Sequence, residues 1–374
     1  MIEIVEVKTK SDIKEFIEFP LRLYKDCEYF VPPLYGDERK LILAGGQPKV
    51  AKSVFFLAKR DGATVGRIQG ILQYQANEKN GNKRVRFTRF DSINDVGVSR
   101  ALFSAVEKWG RELGMTELCG PLGYSDMDRE GLLVEGFDEN STFEEQYNYD
   151  YYPALCEDYG LVKEIDWLEF SIIGVRTSAE LLHKVAERTL ELNKLHVVDQ
   201  SRMSKNEYIN MYKDQFFEVL DECYSHLYGT VDISEETKKE LISQFMLIIN
   251  KQYFIVIADE SGRMVAFGLC FPSIADAVKK SGGRLTPGAL LRIFRAVSKP
   301  EVIDLALVAI RPQYRNSGLN AIVLSKMADY FEKGMIKSFE TNLNLETNTA
   351  VISQWRHFEA RQHKRRRSYV KTIS

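Results

Sequence analysis

The stretch "LVAIRPQYRNSGLNAIVL", residues 307–324, decides the fold of this chain. Its first residues are apolar and predict a strand, and its last residues predict a helix. Between them Arg315, Asn316, Ser317 and Gly318 form a polar turn, in which a small residue lets an anion approach the backbone. A turn that leads into a helix points backbone N–H groups at one spot, beside the positive end of the helix dipole. The stretch therefore predicts a binding site for a phosphate group.

The elements around this turn follow an order that occurs twice in the chain. Each half predicts a strand, a helix, a hairpin, a strand, a helix and a strand, then a further helix and a closing strand. The hairpins turn at Asp61-Gly62 in the first half and at Glu260 to Gly262 in the second. This repeated order predicts an α/β (α+β mixed sheet) duplication, with domains at residues 1–175 and 194–374 and a connecting helix over 176–193.

The second half, residues 194–374, resembles the GCN5-related N-acetyltransferase superfamily, whose signature is a strand, an R/QxxGxG/A loop, a helix, a strand and a later Asn. Arg315, Gly318 and Asn320 stand at the three loop positions, and Asn348 stands at the later Asn. Asn320 departs from the pattern, because a small residue is expected there. The resemblance implies two tandem acyl-CoA N-acyltransferase-like domains, with acetyl-CoA or another acyl-CoA as the co-substrate.

The resemblance also implies which residues bind the acyl-CoA. The pantetheine arm would lie between the strand before the loop and the next strand, with its thioester near Ala306 to Val308. The implied cofactor-binding residues are Val308, Ile310, Arg315, Asn316, Ser317, Gly318, Leu319, Asn320 and Asn348.

The corresponding turn in the first half is "RFDSINDVGVSR", residues 89–100. Asp91 and Asp95 would repel a pyrophosphate. We therefore predict that the first domain is degenerate in its cofactor loop and keeps only the fold. The complete chain resembles bacterial tandem acetyltransferase-fold proteins of unassigned function.

Asp304 is the predicted catalytic base, because it is an acidic residue in the otherwise apolar strand "VIDLALVAI" and burial would raise its pKa. The alternative is a carboxylate in water at the end of the strand. Glu340 and Glu346 are other candidates for the base. The family commonly has a Tyr acid seven residues after the Asn, where this chain has Trp355, and Tyr314 and Tyr330 are not positioned by the sequence to replace it.

Three further features allow more than one interpretation. The segment "YNYDYY", residues 147–152, is either the lining of a substrate pocket or a packing segment. The basic tail "RHFEARQHKRRRSYVK", residues 356–371, predicts a solvated turn before a final edge strand, or else a contact with nucleic acid or with the cofactor's 3′-phosphate. His357 and His363 lack a third ligand and the five cysteines are scattered, so the sequence predicts no metal.

The composition limits the partners. Lysine and arginine number 51 against 53 acidic residues, so we expect neither a nucleic-acid nor a membrane partner unless a local patch provides the charge. Residues 272–301 predict an insertion of short helices over one face of the sheet. The charged N-terminus and the absence of a long apolar run predict a soluble cytoplasmic protein. The oligomeric state is not predicted.

The leading hypothesis is an acyl-CoA-dependent N-acyltransferase, transferring an acetyl or other acyl group to the amine of a small molecule or a protein. A non-catalytic module of the same fold, which binds CoA or another ligand or joins proteins, is the first alternative. A transferase that uses aminoacyl-tRNA is the second.

Overall fold

Strands from both halves of the chain join in one mixed sheet in the computed structural model, which describes residues 1–48, 50–225, 228, 230–231 and 233–373. The strands are β1 (Ile2–Glu6), β2 (Ala51–Arg60), β3 (Ala63–Gln73), β4 (Arg84–Ser92), β5 (Glu117–Gly120), β6 (Leu132–Glu135), β7 (Val162–Val175), β8 (Leu195–Val197), β9 (Phe254–Asp259), β10 (Met264–Pro272), β11 (Val302–Ile310), β12 (Ser338–Thr341), β13 (Asn344–Leu345) and β14 (Phe358–Thr372). The helices are α1 (Lys10–Leu23), α2 (Tyr35–Leu43), α3 (Tyr74–Asn80), α4 (Val96–Glu112), α5 (Tyr152–Asp158), α6 (Ala179–Asn193), α7 (Lys205–Tyr224), α8 (Glu235–Ile248), α9 (Ala275–Lys279), α10 (Pro287–Ser298), α11 (Asn320–Glu332) and α12 (Thr349–Ile352).

The order of the strands shows an exchange between the two halves. The sheet runs β1-β2-β3-β4-β5-β14-β7-β12-β11-β10-β9-β8, while β6 pairs with β14 and β13 pairs with β7. The closing strand of each half therefore lies beside the fifth main strand of the other half, β14 beside β5 and β7 beside β12. The predicted mixed α/β class is confirmed.

The duplication is visible in local structure as well. The first helix of each half begins with a capping box, formed by Thr9 and Asp12 in α1 and by Ser204 and Glu207 in α7. The first hairpin turns at Asp61 and Gly62, both with positive φ, as the Asp-Gly signal predicts. In both halves the strand after the hairpin pairs in parallel with the next strand, β4 with β5 and β11 with β12.

The prediction for the basic tail is wrong, because these residues form β14 in the middle of the sheet. Lys364 and Arg366 are fully buried against the equally buried Glu169 of β7. The Lys364 Nζ and Arg366 Nε atoms lie 3.0 and 2.6 Å from its carboxylate oxygens. Burial alone would raise the pKa of Glu169, but Arg366 and Lys364 lower it to about 2. Carboxylates on the neighbouring strand, which the one-dimensional pattern does not reveal, allow these cations to lie inside.

The predicted division at residues 175 and 194 stays a prediction, since a single sheet passes through both halves. The segment between them forms α6, which packs on α11. Residues 272–301 contain the predicted short helices, α9 and α10. Among the described residues, no helix combines the length and the apolar content that a membrane crossing requires.

Replacing Glu169 with Gln should destabilise the protein by about 3 to 5 kcal/mol, because two buried cations lose their counter-charge. The free energy of unfolding in urea measures the loss. The control is Lys184→Gln on α6, which removes an exposed pair with Glu180 and should cost less than about 1 kcal/mol. Equal losses in the two variants would contradict a structural role for the buried cluster.

Candidate active site

The turn between β11 and α11 has the geometry of an anion site. Asn316 and Gly318 have positive φ values of 63° and 85°, which fold the chain sharply before the helix. No side chain caps α11, and the amides of Gly318, Leu319 and Asn320 donate no hydrogen bond to any residue that the structure describes. Arg315, three residues before Gly318, is exposed, and its charge also acts on the Cys223 thiol. Uncapped amides at a helix N-terminus and a nearby guanidinium together suit a phosphate.

The equivalent turn of the first half is already filled by its own carboxylate. Asp95 caps α4, and its Oδ1 accepts hydrogen bonds from the amides of Gly97 at 2.8 Å and Val98 at 3.1 Å. A hydrogen bond from Arg60 helps to lower the pKa of Asp95. Asp91 is buried and pairs with Arg67 at 2.7 Å. The amides that a phosphate would need at α4 are therefore bonded internally, in addition to the repulsion that the sequence suggests.

A gap between β11 and β12 opens in the second half, beside the turn at residues 315–320. β11 pairs with β12 only as far as Leu305 and Thr341, and a register shift against β10 leaves Ala306 as an extra residue. The amide of Arg311 donates to Val265 on β10. Because peptide groups alternate along a strand, those of Val308 and Ile310 face away from β10, toward the gap.

The carbonyls of these two residues already accept hydrogen bonds. The Tyr224 hydroxyl donates to the Val308 oxygen over 2.9 Å, and the Cys223 thiol donates to the Ile310 oxygen over 3.1 Å. Their amides therefore remain the groups that face the gap. The assignment of Val308 and Ile310 as cofactor contacts stays a prediction, now limited to their N–H groups.

The same edge of the first half is closed by tyrosines. The Tyr151 hydroxyl donates to the oxygen of Ser92 at 2.7 Å, and the amide of Ser92 donates to the Tyr152 hydroxyl at 3.0 Å. Tyr152 is fully buried and also bonds Tyr24 at 2.7 Å. The geometry supports packing for this segment, because its hydroxyls occupy the hydrogen-bonding groups of Ser92 at the end of β4.

Asp304 lies buried on β11, so the alternative of a solvated carboxylate is wrong. Burial raises its pKa well above the usual value, and the charges of Glu144 and Glu340 raise it further. A hydrogen bond with Ser273 and the charge of Lys364 act in the opposite direction. The Oδ1 atom of Asp304 has no hydrogen-bond partner among the described residues.

The other catalytic candidates have different surroundings. Glu340 accepts a hydrogen bond from Ser171 at 3.0 Å and lies 2.9 Å from Nε2 of the buried His363. Glu346 pairs with Lys163 at 2.9 Å and accepts a hydrogen bond from the amide of Asp166 at 3.1 Å. The Tyr330 hydroxyl donates to the carbonyl of Gln252.

Asn348 and Trp355, which stand where the family pattern has an Asn and a Tyr, each make local contacts. Asn348 caps the short helix α12 by accepting a hydrogen bond from Val351 at 3.3 Å. Trp355 packs near Phe170, and its buried Nε1 has no partner among the described residues. A cofactor contact of Asn348 stays a prediction, and Trp355 offers no proton for transfer.

Tyr224 is a candidate that the sequence did not reveal. It ends α7, and its hydroxyl lies at the strand edge where the thioester is expected. Burial raises its pKa, so the phenol keeps its proton at neutral pH. No motif marks this residue, because only the packing of α7 on β10 and β11 brings it to the gap.

A cavity of about 320 Å³ lies between the halves. Its charged wall includes Arg67, Arg89, Asp128 and Arg129, and its apolar wall includes Met127, Phe143, Leu241, Phe245, Leu247, Ile248 and Ile274. Glu144 lines the cavity, and its charge also raises the pKa of Asp304. This volume is within the range of small-molecule sites.

One surface group has the composition of a metal site. His183, Asp329 and Glu332, on α6 and α11, offer ligand atoms within 4.8 Å of one another. The Nε2 atom of His183 already lies 2.7 Å from Asp329, and two lysines lie within 4.0 Å of the same carboxylate. The expectation that the protein needs no metal stays a prediction.

Comparison with known proteins gives two distant sequence relatives. Protein YghO of Escherichia coli (strain K12) is 26% identical over 376 residues, covering 97% of this chain and 94% of that protein. The bacterial ceramide synthase of Caulobacter vibrioides is 26% identical over 292 residues, covering 76% and 74% of the two chains. No protein-family model matches the chain.

Solved structures give the fold. A tandem GNAT protein from the clavulanic acid biosynthesis pathway superimposes with a TM-score of 0.59 and 11% identity, covering 100% of this chain and 99% of that one. At this identity the likeness establishes the architecture and leaves the reaction open. Together with the exchanged sheet and the strand-turn-helix at residues 307–324, it shows that this chain has the tandem fold of the GCN5-related N-acetyltransferases.

Proposed function

We propose that this protein transfers an acyl group from acyl-CoA to an amine, with the cofactor bound in the second half. The observation that carries the proposal is the difference between the two helix N-termini. The amides of α11 are uncapped beside Arg315, whereas those of α4 are bonded by Asp95. A chain with a duplicated fold that leaves only one of these two turns open has one phosphate site.

The residues of the gap support a catalytic role as well as binding. Bound acyl-CoA supplies the acyl group as a thioester. Asp304, with an unbonded Oδ1, accepts a proton from the ammonium of the acceptor when it is ionised. The Tyr224 hydroxyl, which bonds the carbonyl of Val308, is the acid that donates a proton to the leaving thiolate. These two groups supply the base and acid that a purely structural module would not need.

The cavity between the halves suggests the acceptor. It combines a charged wall with an apolar wall, and the charge of its lining residue Glu144 acts on Asp304. One distant relative is named a ceramide synthase, and a ceramide is the amide of a long-chain amine. We infer that the acceptor is an amphiphilic amine, with its ammonium near the carboxylates and its chain along Leu241, Phe245 and Ile248.

The remaining alternatives have less support. Use of aminoacyl-tRNA would require a large basic groove, and the strongest basic run of the sequence, around Lys364 and Arg366, is paired inside the sheet. A non-catalytic module is favoured by Trp355 at the position of the usual acid, but Tyr224 provides another phenol.

Arg315→Glu should weaken the binding of acyl-CoA at least about tenfold, because it replaces charge-assisted hydrogen bonds with repulsion. Titration calorimetry with a long-chain acyl-CoA should give one site per chain for the parent protein. Lys333→Glu, the same charge change at the other end of α11, should leave affinity unchanged. Two sites per chain, or no binding by the parent, would overturn the assignment of the cofactor to the second half.

Asp304→Asn should lower kcat by about 10² to 10⁴, as expected when a general base is lost. Tyr224→Phe should also reduce kcat while the affinity for acyl-CoA is retained. Release of free CoA thiol with sphinganine, compared with short amines, measures both effects. Glu346→Gln is the control and should keep parental activity. Full activity of both gap variants would assign the chemistry to another catalytic pair, whereas absence of CoA release by the parent would favour the non-catalytic module.

Asp304→Asn should also change stability with pH. The raised pKa of Asp304 means that folding favours its protonated form, so ionisation costs stability as pH rises from the unfolded pKa of 3.8 toward the folded value. The Asn variant avoids this cost, and its stability relative to the parent should increase from about pH 5 to about pH 8. Urea unfolding at both values tests this, with the exposed Asp276→Asn as a control that should show no such trend.

A further inference from the structure

Helix α10 has two apolar faces, and only one of them packs on the protein. Ala289 and Ile293 point inward and are buried. Leu290, Leu291 and Phe294 point outward, with 42%, 70% and 71% of their surface exposed. Because residues three and four apart are neighbours on a helix, these three side chains form one outer stripe. Leu285, just before the helix, is 46% exposed and extends the apolar surface.

This apolar stripe lies in a segment whose charged residues are all basic. Residues 279–299 contain no acidic residue, although the whole chain has a net charge of −2. The basic residues of this segment are Lys279, Lys280, Arg284, Arg292, Arg295 and Lys299. The side chains of Lys280, Arg295 and Lys299 make no hydrogen bond or ion pair with any residue in the described ranges, and all three are exposed. Their charge is therefore available to a partner outside the chain.

We propose that α10 docks this protein on the surface of an anionic lipid bilayer. Leu290, Leu291 and Phe294 would insert at the boundary between headgroups and acyl chains, while Arg295, Lys299 and Lys280 meet the headgroup phosphates. A helix with large apolar residues on one face and basic residues beside them is typical of an interfacial helix. Unpaired cations next to exposed leucine and phenylalanine complement an anionic membrane better than they complement a second copy of the chain, whose matching surface would carry the same charge.

Helix α10 lies next to elements that line the cavity between the halves. Val297 of α10 accepts a hydrogen bond from Asn250 at 3.1 Å, just after α8 ends. Leu247 and Ile248 of α8 line the cavity between the halves, as does Ile274 at the start of the same insertion. A bilayer beneath α10 would thus lie next to the apolar wall along which the chain of an amphiphilic acceptor is proposed to run. This last step rests on the proposed function, whereas the docking itself does not.

The expectation that the protein has no membrane partner came from its overall charge, which averages this patch with the acidic remainder of the chain. A local patch was the stated exception. The described helices are not long and apolar enough to span a bilayer, and α10 does not need to be, since it would lie in the plane of the surface.

The test is flotation of the full chain with vesicles of phosphatidylcholine alone and with about 30 mol% phosphatidylglycerol. We expect binding to the anionic vesicles that weakens with added salt, and at least tenfold weaker binding of the double variant Leu291→Glu, Phe294→Glu. The matched control is Leu181→Glu, Leu192→Glu on α6, whose leucines are 54% and 73% exposed. It should bind like the parent. Arg295→Gln with Lys299→Gln should reduce binding and its salt dependence.

Several outcomes would overturn the proposal. Absence of vesicle binding by the parent would do so, as would equal binding by the α10 double variant. A parent that is dimeric in gel filtration and becomes monomeric in that variant, without binding vesicles, would assign the stripe to a contact between chains. Acyl-CoA titration of the same variants tests membrane docking and the proposed function separately. Because α10 lies outside the turn at residues 315–320, its variants should bind acyl-CoA normally even where vesicle binding is lost.

Discussion

The buried contact of Glu169 with Lys364 and Arg366 is the constraint on which the rest of the structure depends. It joins β7 of the first half to β14 of the second, where Glu169 pairs in register with Lys364. A slip of one residue would turn these charges to the opposite face and leave them unpaired. By fixing the two exchanged strands, the contact also positions their outer neighbours, β5 and β12, next to which the two gaps of the sheet begin.

The two halves share one architecture but differ at the start of the helix that follows β4 or β11. In the first half, Asp95 bonds the amides at the start of α4, and Tyr151 and Tyr152 bond the edge of β4, so the equivalent site is closed by the chain itself. In the second half the start of α11 is uncapped and the gap is bordered by Tyr224. The first half contributes residues to the wall of the cavity, and the second half keeps amides that are not bonded to any described residue.

Much of the fold was predictable from local patterns. The Asp61-Gly62 hairpin, the repeated order of strands and helices, and the strand-turn-helix at residues 307–324 all depend on neighbours in sequence, and each is present in the structure. The candidate site was predicted only in part. The loop residues follow a motif, but Tyr224 and Glu144 come from distant segments, and the carbonyls of Val308 and Ile310 proved to be bonded to α7.

The sequence alone determined the duplicated mixed α/β architecture, the strand-turn-helix at residues 307–324 and the acidic residues of the equivalent turn in the first half, because turn chemistry and periodicity act over a few residues. Only the tertiary structure decided that the basic tail is a central strand, that Asp304 is buried, and that α10 presents an apolar and basic surface to solvent. Burial and ion pairing depend on which distant segments meet, and a charge is tolerated inside only where such a segment supplies its partner.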